Sequence, residues 1–390
     1  MYYRFLFLLT ICINAFGQSS IPIGTWRTHL SYNSVQTVEI AGDRVYAGSV
    51  NSAFYIENGI FNELSKLTGL SDIGITKIRF HEKSNTVIFG YQNGNIDLII
   101  NKSTILNLND IVRSDIQGSK KINEIHFHEN LAFLSTDFGV VVLDLIRKEV
   151  KETYQNFSST TEVLNTYATV VFSDSIYVCT NKGLYVSKFS NTNLMDFSTW
   201  KKSLPSNTLN GIPAIGASVY NDKIWVAFYN SGIFYKQNNG WIKSPAEDAN
   251  RNRIFGMRTS NNQLITFGNT AKLLTEEKVS GINSSGIYSL DAVIAKNGQV
   301  YVADSLSGLM TFTNGQYGPL AFSGPSTSSF FRFKQIKSDI YALPGGYSNI
   351  YAPTGANFGL DKFANGLWEK KSISPAAMVL VDMAYSPIND

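Results

Sequence analysis

The chain has 390 residues, of which 16% carry a charge, 44% are apolar and 13% are aromatic. That much apolar surface excludes an intrinsically disordered chain, because its burial offsets the entropy of ordering. A net charge of +3 is too weak a field to select nucleic acid or an anionic membrane surface.

The chain opens on an expected signal peptide over residues 1–17. Arg4 supplies a short positive start, and Phe5 to Phe16 form a largely apolar run of 12 residues. A membrane-spanning helix needs about 20, so the run is a signal-peptide core. Small residues at Ala15 and Gly17 predict cleavage before Gln18. Cys12 lies inside this segment behind Ile11, which is not the small residue a lipoprotein signal places before its cysteine. Cys179 is then alone, and no internal disulfide is expected. No histidine lies near it in sequence, so Val178-Cys179-Thr180 predicts a buried strand thiol rather than a nucleophile.

From residue 22 onward the chain repeats. A strand signature begins with an aliphatic anchor at Val45, Val87, Leu131, Ile176, Ile224, Leu264, Val300 and Ile340. The spacings are 42, 44, 45, 48, 40, 36 and 40 residues, the period of a four-stranded propeller blade. Turn formers such as Asp43, Asn85, Asp174, Asp222 and Asn262 stand two residues before the anchors, as a tight hairpin requires. Tyr46, Tyr177, Trp225, Tyr301 and Tyr341 follow their anchors directly, which suits packing between adjacent sheets. Gly94, Gly139, Gly183, Gly232 and Gly308 recur where the next hairpin turns, with positive φ expected. Asn58-Gly59, Asn239-Gly240, Asn314-Gly315 and Asn365-Gly366 add type I′ turns, each leading to an aromatic. Apolar runs at Val35–Ile40, Ile75–Phe80, Ile122–Phe127 and Ala168–Phe172 predict inner strands lining a channel. No stretch after the signal peptide keeps a helical apolar period, so no further helix is expected.

The fold class is therefore all-β: a seven-bladed β-propeller of four-stranded antiparallel blades over residues 22–322. A row of β-sandwiches has no reason to repeat at this period, and alternate half-repeats do not match as a solenoid's would. The Ser/Gly/Pro-rich residues 323–329 predict a linker, and residues 330–390 the truncated beginning of a second β-propeller. The alternative is one ring of eight that includes Ile340. Gly24-Thr25-Trp26 resembles the outer-strand signals at Trp241 and Trp368, which predicts an N-terminal strand latching the last blade. Gln316 to Leu320 competes for that place. Ala376 to Tyr385 resembles an inner strand, and Ser386 to Asp390 the turn after it, so the sequence reads as a fragment of a longer protein.

Little here points to chemistry. His126 and His128 share one strand face, but no third ligand accompanies them at zinc-like spacing. Asn107, Asn109 and Asp110 lack the Gly and Glu of a calcium loop. Glu276-Glu277 reads as a solvated turn, because a glycosidase holds its two acids on different elements. Lys120-Lys121, Lys201-Lys202 and Lys370-Lys371 read as surface charge. Asn101, Asn156 and Asn283 form glycosylation sequons. The Tyr and Trp residues suit core packing better than a sugar-binding mouth. No catalytic or metal site and no cofactor is expected, and the ligand-binding residues are unknown.

Ile23-Gly24-Thr25-Trp26-Arg27-Thr28-His29-Leu30-Ser31-Tyr32-Asn33, placed just after a signal peptide, resembles the opening of the PorZ family. These are the β-propeller accessory proteins of the type IX secretion system of Bacteroidota. The resemblance runs from about Ile21 to the end of the chain. It implies a non-catalytic exported scaffold at the periplasm or outer-membrane cell surface. The partners it implies are the sortase PorU and the attachment proteins PorV and PorQ, together with anionic lipopolysaccharide. Leu67-Thr68-Gly69-Leu70-Ser71-Asp72-Ile73 resembles instead the linkers of propellers in hybrid two-component sensors. That supports the alternative reading, the periplasmic sensor propeller of a hybrid histidine kinase. A propeller lyase or glycosidase would need acids, His or Tyr clustered at one mouth of the channel.

Overall fold

A computed structural model of the chain describes residues 26–160, 162–190, 193–238, 240–244, 254–282, 288–313, 316–352, 359–372 and 379–386. The expected signal peptide, Asn239, the Asn314-Gly315 turn and the Asn283 sequon lie outside the described residues.

Each repeat folds into an antiparallel sheet of four consecutive strands, giving eight sheets among the described residues. Every anchor falls in the second strand of its sheet, from Val45 in Arg44–Gly48 to Ile340 in Asp339–Leu343. The first-to-second turns are tight, and both turn residues take positive φ at Asn221-Asp222 (48° and 52°) and Asn261-Asn262 (47° and 55°). Asn58-Gly59 and Asn365-Gly366 do the same, as type I′ turns require. All five glycines expected at the second-to-third turn, Gly94, Gly139, Gly183, Gly232 and Gly308, have φ between 80° and 135°.

Seven sheets close into a ring. Their inner strands are Thr37–Ala41, Ile75–His81, Ile122–His128, Thr166–Phe172, Ala214–Tyr220, Ile254–Ser260 and Ser289–Ile294. Alternation sends one set of side chains of each sheet toward the sheet before and the other toward the sheet after. The core is therefore divided into wedges between neighbours. Tyr46 and Ala53 of the first sheet meet Ile78 and Phe89 of the second. Phe133 and Val142 of the third meet Ile176 and Val178 of the fourth. Cys179 of the fourth meets Val226 and Phe228 of the fifth.

The last wedge decides the ring size. Val38, Ala47 and Phe54 of the first sheet pack on Val293, Ala303 and Leu309 of the seventh. The Val35 N–H donates to the Asp304 carbonyl across the same seam at 2.9 Å. No residue of the eighth sheet belongs to these wedges among the described residues.

Two expectations are corrected. The seventh sheet takes its outer strand from its own Gln316–Pro319, paired on Gly308–Thr313, and among the described residues no N-terminal strand latches it; Gly24 and Thr25 of the expected latch lie outside the described residues. Trp26 is instead 86% exposed, and the segment after it is anchored by Tyr32 and Val35 in the seam wedge. A one-turn helix also forms at Asp110–Arg113. It is too short to show an apolar period, and it is held by Ile111, buried between the second and third sheets.

The eighth sheet, Arg332–Ile336 to Leu367–Lys371, stands outside the ring. Its faces are only partly covered: Phe333 is 58% and Leu367 61% exposed.

Candidate functional site: the channel and the joint beside the eighth sheet

Inner strands in the ring bring charged side chains into the channel. Arg79 of the second sheet grips Glu124 of the third with a hydrogen bond from Nη2 at 2.8 Å and an ion-pair contact from Nε at 2.7 Å. Its Nη1 lies 2.6 Å from Asp291 of the seventh. Lys77 adds a contact to Glu124 at 3.6 Å. Arg258 of the sixth sheet bonds Glu39 of the first at 2.8 Å and reaches Asp291 at 3.4 Å. Three cations thus face three carboxylates. Burial disfavours the charged form of Asp291, but Arg79, then Lys77 and Arg258, outweigh it and hold the carboxyl well below its usual range. Burial likewise opposes charge on Glu124, and Arg79 and Lys77 reverse the sign. Lys77 is pulled the other way, below its ordinary value, because desolvation exceeds the help of Glu124 and Asp291. The acids do cluster, but their oxygens are taken up by guanidinium, ammonium and backbone N–H donors.

The second feature is built by the opening motif. Thr28 and Tyr32 both donate to Glu63 of the first sheet's outer strand. The Tyr32 ring stands edge-on to Phe54, Phe61 and Phe322, with centroids 4.9–6.3 Å apart. Toward the eighth sheet, Arg27 donates to the Gly366 carbonyl at 3.1 Å. His29 Nδ1 accepts from the Trp368 indole at 2.9 Å. That bond requires a neutral His29, and burial followed by the Arg27 charge lowers its pKa accordingly. Asn33 donates to the Ser326 carbonyl, while Ser326 donates twice to the buried Asp361. The motif is thus a strap joining the ring to the eighth sheet. Beside it lies an apolar cleft of about 590 Å³ lined by Leu30, Ile73, Phe330, Phe333, Phe363 and Trp368.

The residues singled out in sequence have ordinary partners. His126 accepts the Val171 N–H at 3.2 Å, and His128 packs edge-on to Phe189. Among the described residues, no group of three or more His, Cys, Asp and Glu is arranged to hold a metal ion. Cys179 is fully buried, and burial pushes its thiol pKa up. Glu276 pairs with Lys223 of the fifth sheet at 2.7 Å. Lys120 donates to the Val112 and Ser114 carbonyls. Asn101 and Asn156 are both exposed. The Leu67–Ile73 stretch buries Leu70 between the first two sheets, while Ser71 N–H and hydroxyl donate to the buried Asp97. Sequence reasoning missed the channel network. Its signal was present as Glu39, Arg79, Glu124, Arg258 and Asp291, charges set inside otherwise apolar inner strands.

Sequence and structure comparisons bear on this arrangement. No curated protein matches the chain in sequence. Residues 45–201 match the N-terminal β-propeller domain of PorZ, of the type IX secretion system. The chain resembles PorZ. The matched stretch runs from the first sheet's second strand to the end of the fourth sheet. The structure of PorZ from Porphyromonas gingivalis, described as an essential surface component of that system, superposes with a TM-score of 0.73 at 18% identity. The superposition covers 88% of this chain and 46% of that PorZ chain, so the chain spans about half its length. Streptogramin B lyase (TM-score 0.55, 14% identity, 73% of this chain and 96% of that one) shares the propeller fold. So does the WD40 propeller of Doa1 (0.54, 10%, 74% and 94%). No helix among the described residues is long and apolar enough to cross a membrane.

Proposed function

We propose that the chain is a non-catalytic, exported scaffold of the type IX secretion system at the outer cell surface, where it supports anchoring of secreted cargo. The observation that carries this reading is the PorZ match over residues 45–201, supported by the superposition on PorZ. The acids of the channel are committed to ion pairs, which supports a role in binding and positioning rather than catalysis. The partners follow the resemblance: the sortase PorU with PorV and PorQ, and anionic lipopolysaccharide.

The same proposal includes the domain plan: a signal peptide over 1–17, a ring over 22–322, a linker over 323–329, and the opening of a second ring from 330. Two observations support it. The eighth sheet leaves apolar side chains uncovered on its faces. Asp382 lies beside its inner strand, paired with Arg332 at 2.5 Å and Lys334 at 3.3 Å, as Glu124 of the third sheet's inner strand pairs with Arg79 of the second's.

Deleting the gene in its host tests the function. Secreted cargo is expected to leave the cell surface and accumulate in the medium unanchored. Cargo retained on the surface at the parental level would overturn the reading.

A further inference from the structure

We infer that Asp291 is the clasp that closes the ring. Its carboxylate, 0% exposed, bonds to four of the seven sheets at once. Oδ2 accepts from the Thr37 hydroxyl at 3.0 Å and the Val38 N–H at 3.3 Å, both of the first sheet. Arg79 of the second sheet meets it at 2.6 Å, and Arg258 of the sixth at 3.4 Å. Asp291 itself belongs to the seventh, where Oδ1 accepts from Ala292 N–H at 3.0 Å.

The placement matters because of where the chain is discontinuous. Six of the seven junctions in the ring are spanned by the chain itself, running from one outer strand to the next inner strand. The junction between the seventh and first sheets has no such connection, and among the described residues no strand is exchanged across it. Asp291 faces that junction. Thr37 extends the clasp by accepting the Ile78 N–H at 3.0 Å, so the first and second sheets are fixed against the same carboxylate. Arg258 repeats the arrangement on the other side, binding Glu39 and the Val38 carbonyl of the first sheet.

Ion pairs this buried are weak sources of net stability, since desolvation consumes most of the attraction. What they do enforce is arrangement, because a misplaced partner leaves a charge buried and unpaired. An apolar seam could slide; a carboxylate answering two guanidinium groups, a hydroxyl and a backbone N–H cannot. The clasp therefore sets the register in which the first sheet meets the seventh. The inference stands on the ring alone and is independent of the proposed secretion role.

Native-state hydrogen exchange on the full chain tests it, comparing the parent with Asp291→Asn. Amides of residues 35–41 and 289–294 are expected to exchange at least tenfold faster, with residues 131–136 and 175–180, on the far side of the ring, changing less than twofold. A uniform rise across all seven sheets, or no rise at the seam, would overturn the clasp. If Asp291→Asn does not fold, Glu39→Gln takes the charge from the outlying partner of Arg258; Glu39 also accepts the Ile40 N–H, so the same seam-restricted rise, read at the amides other than Ile40, decides. Glu57→Gln, which breaks the Arg44 pair within the first sheet, is expected to leave the seam unchanged; a rise at the seam equal to that of Asp291→Asn would count against the proposal.

Discussion

Asp304 shows how one atom can carry a cost. The residue is fully buried at the end of the seventh sheet's second strand. Its Oδ1 accepts from the Leu306 and Ser307 N–H groups, while Oδ2 finds no partner among the described residues. Burial raises its pKa, and the two backbone donors with the Ser307 side chain only partly oppose this. A carboxyl whose folded pKa is raised favours folding when protonated, so its contribution is full below the unfolded value. That contribution is lost as pH rises through the folded value. Thr136 and Thr180 end the equivalent strands with hydroxyls that donate to the Gly139 and Gly183 carbonyls at 2.8 Å. Asp304→Asn keeps both backbone bonds and removes the charge. We expect it to stabilise the chain at pH 7 by about 1 kcal/mol, with the gain shrinking toward pH 4. Denaturant midpoints at the two pH values check this; an equal or lower midpoint at pH 7 would contradict the account.

Turn and strap elements are set by contacts that differ from one copy to the next. Gly308 has φ 80°, and a Cβ there would stand 2.5 Å from the Tyr32 carbonyl oxygen across the seam. Gly59 has φ 76° with open space around it. Gly308→Ala is therefore expected to cost at least about 2 kcal/mol, and Gly59→Ala about 1 kcal/mol, from backbone strain alone. Thermal unfolding of the two variants side by side gives the comparison. The strap is tested at Trp368, which holds His29 by its indole N–H and lies 5.2 Å from Phe363 between ring centroids. Trp368→Ala is expected to release the eighth sheet from the ring. Protease cleavage within residues 323–329 should accelerate several-fold while the ring's melting temperature stays within about 2 °C. A ring that melts much earlier would mean that the joint is part of the ring's own core.

At the scale of the molecule, stability is shared around a circle, so each wedge depends on two neighbours. A chain ending at residue 329 retains all seven wedges and is expected to unfold in one cooperative transition. A chain ending at residue 282 removes the seventh sheet and exposes two wedges together, Ile265 and Ala271 on one side and Val38 and Phe54 on the other. It should lose cooperative unfolding altogether, which calorimetry of the two truncations would show.

The blade repeat, strand order and turn positions were legible in the residues because each is a local requirement repeated at a fixed period, whereas the residues leave the choice between seven and eight blades open. An anchor such as Val45 must follow a tight turn, and Gly139 must take positive φ, whatever stands next to them. The burial of Cys179 within a strand could likewise be read from the apolar residues around it. The seam could not be read this way. Whether the seventh sheet borrows the N-terminal segment or uses Gln316–Pro319 depends on residues nearly 300 positions apart in the chain. The channel network is the same case. Glu39, Arg79 and Asp291 were visible one by one as charges in apolar strands, but only closure of the ring sets them within hydrogen-bonding distance. Periodicity is a property of neighbours along the chain, whereas closure is a property of its two ends meeting in space.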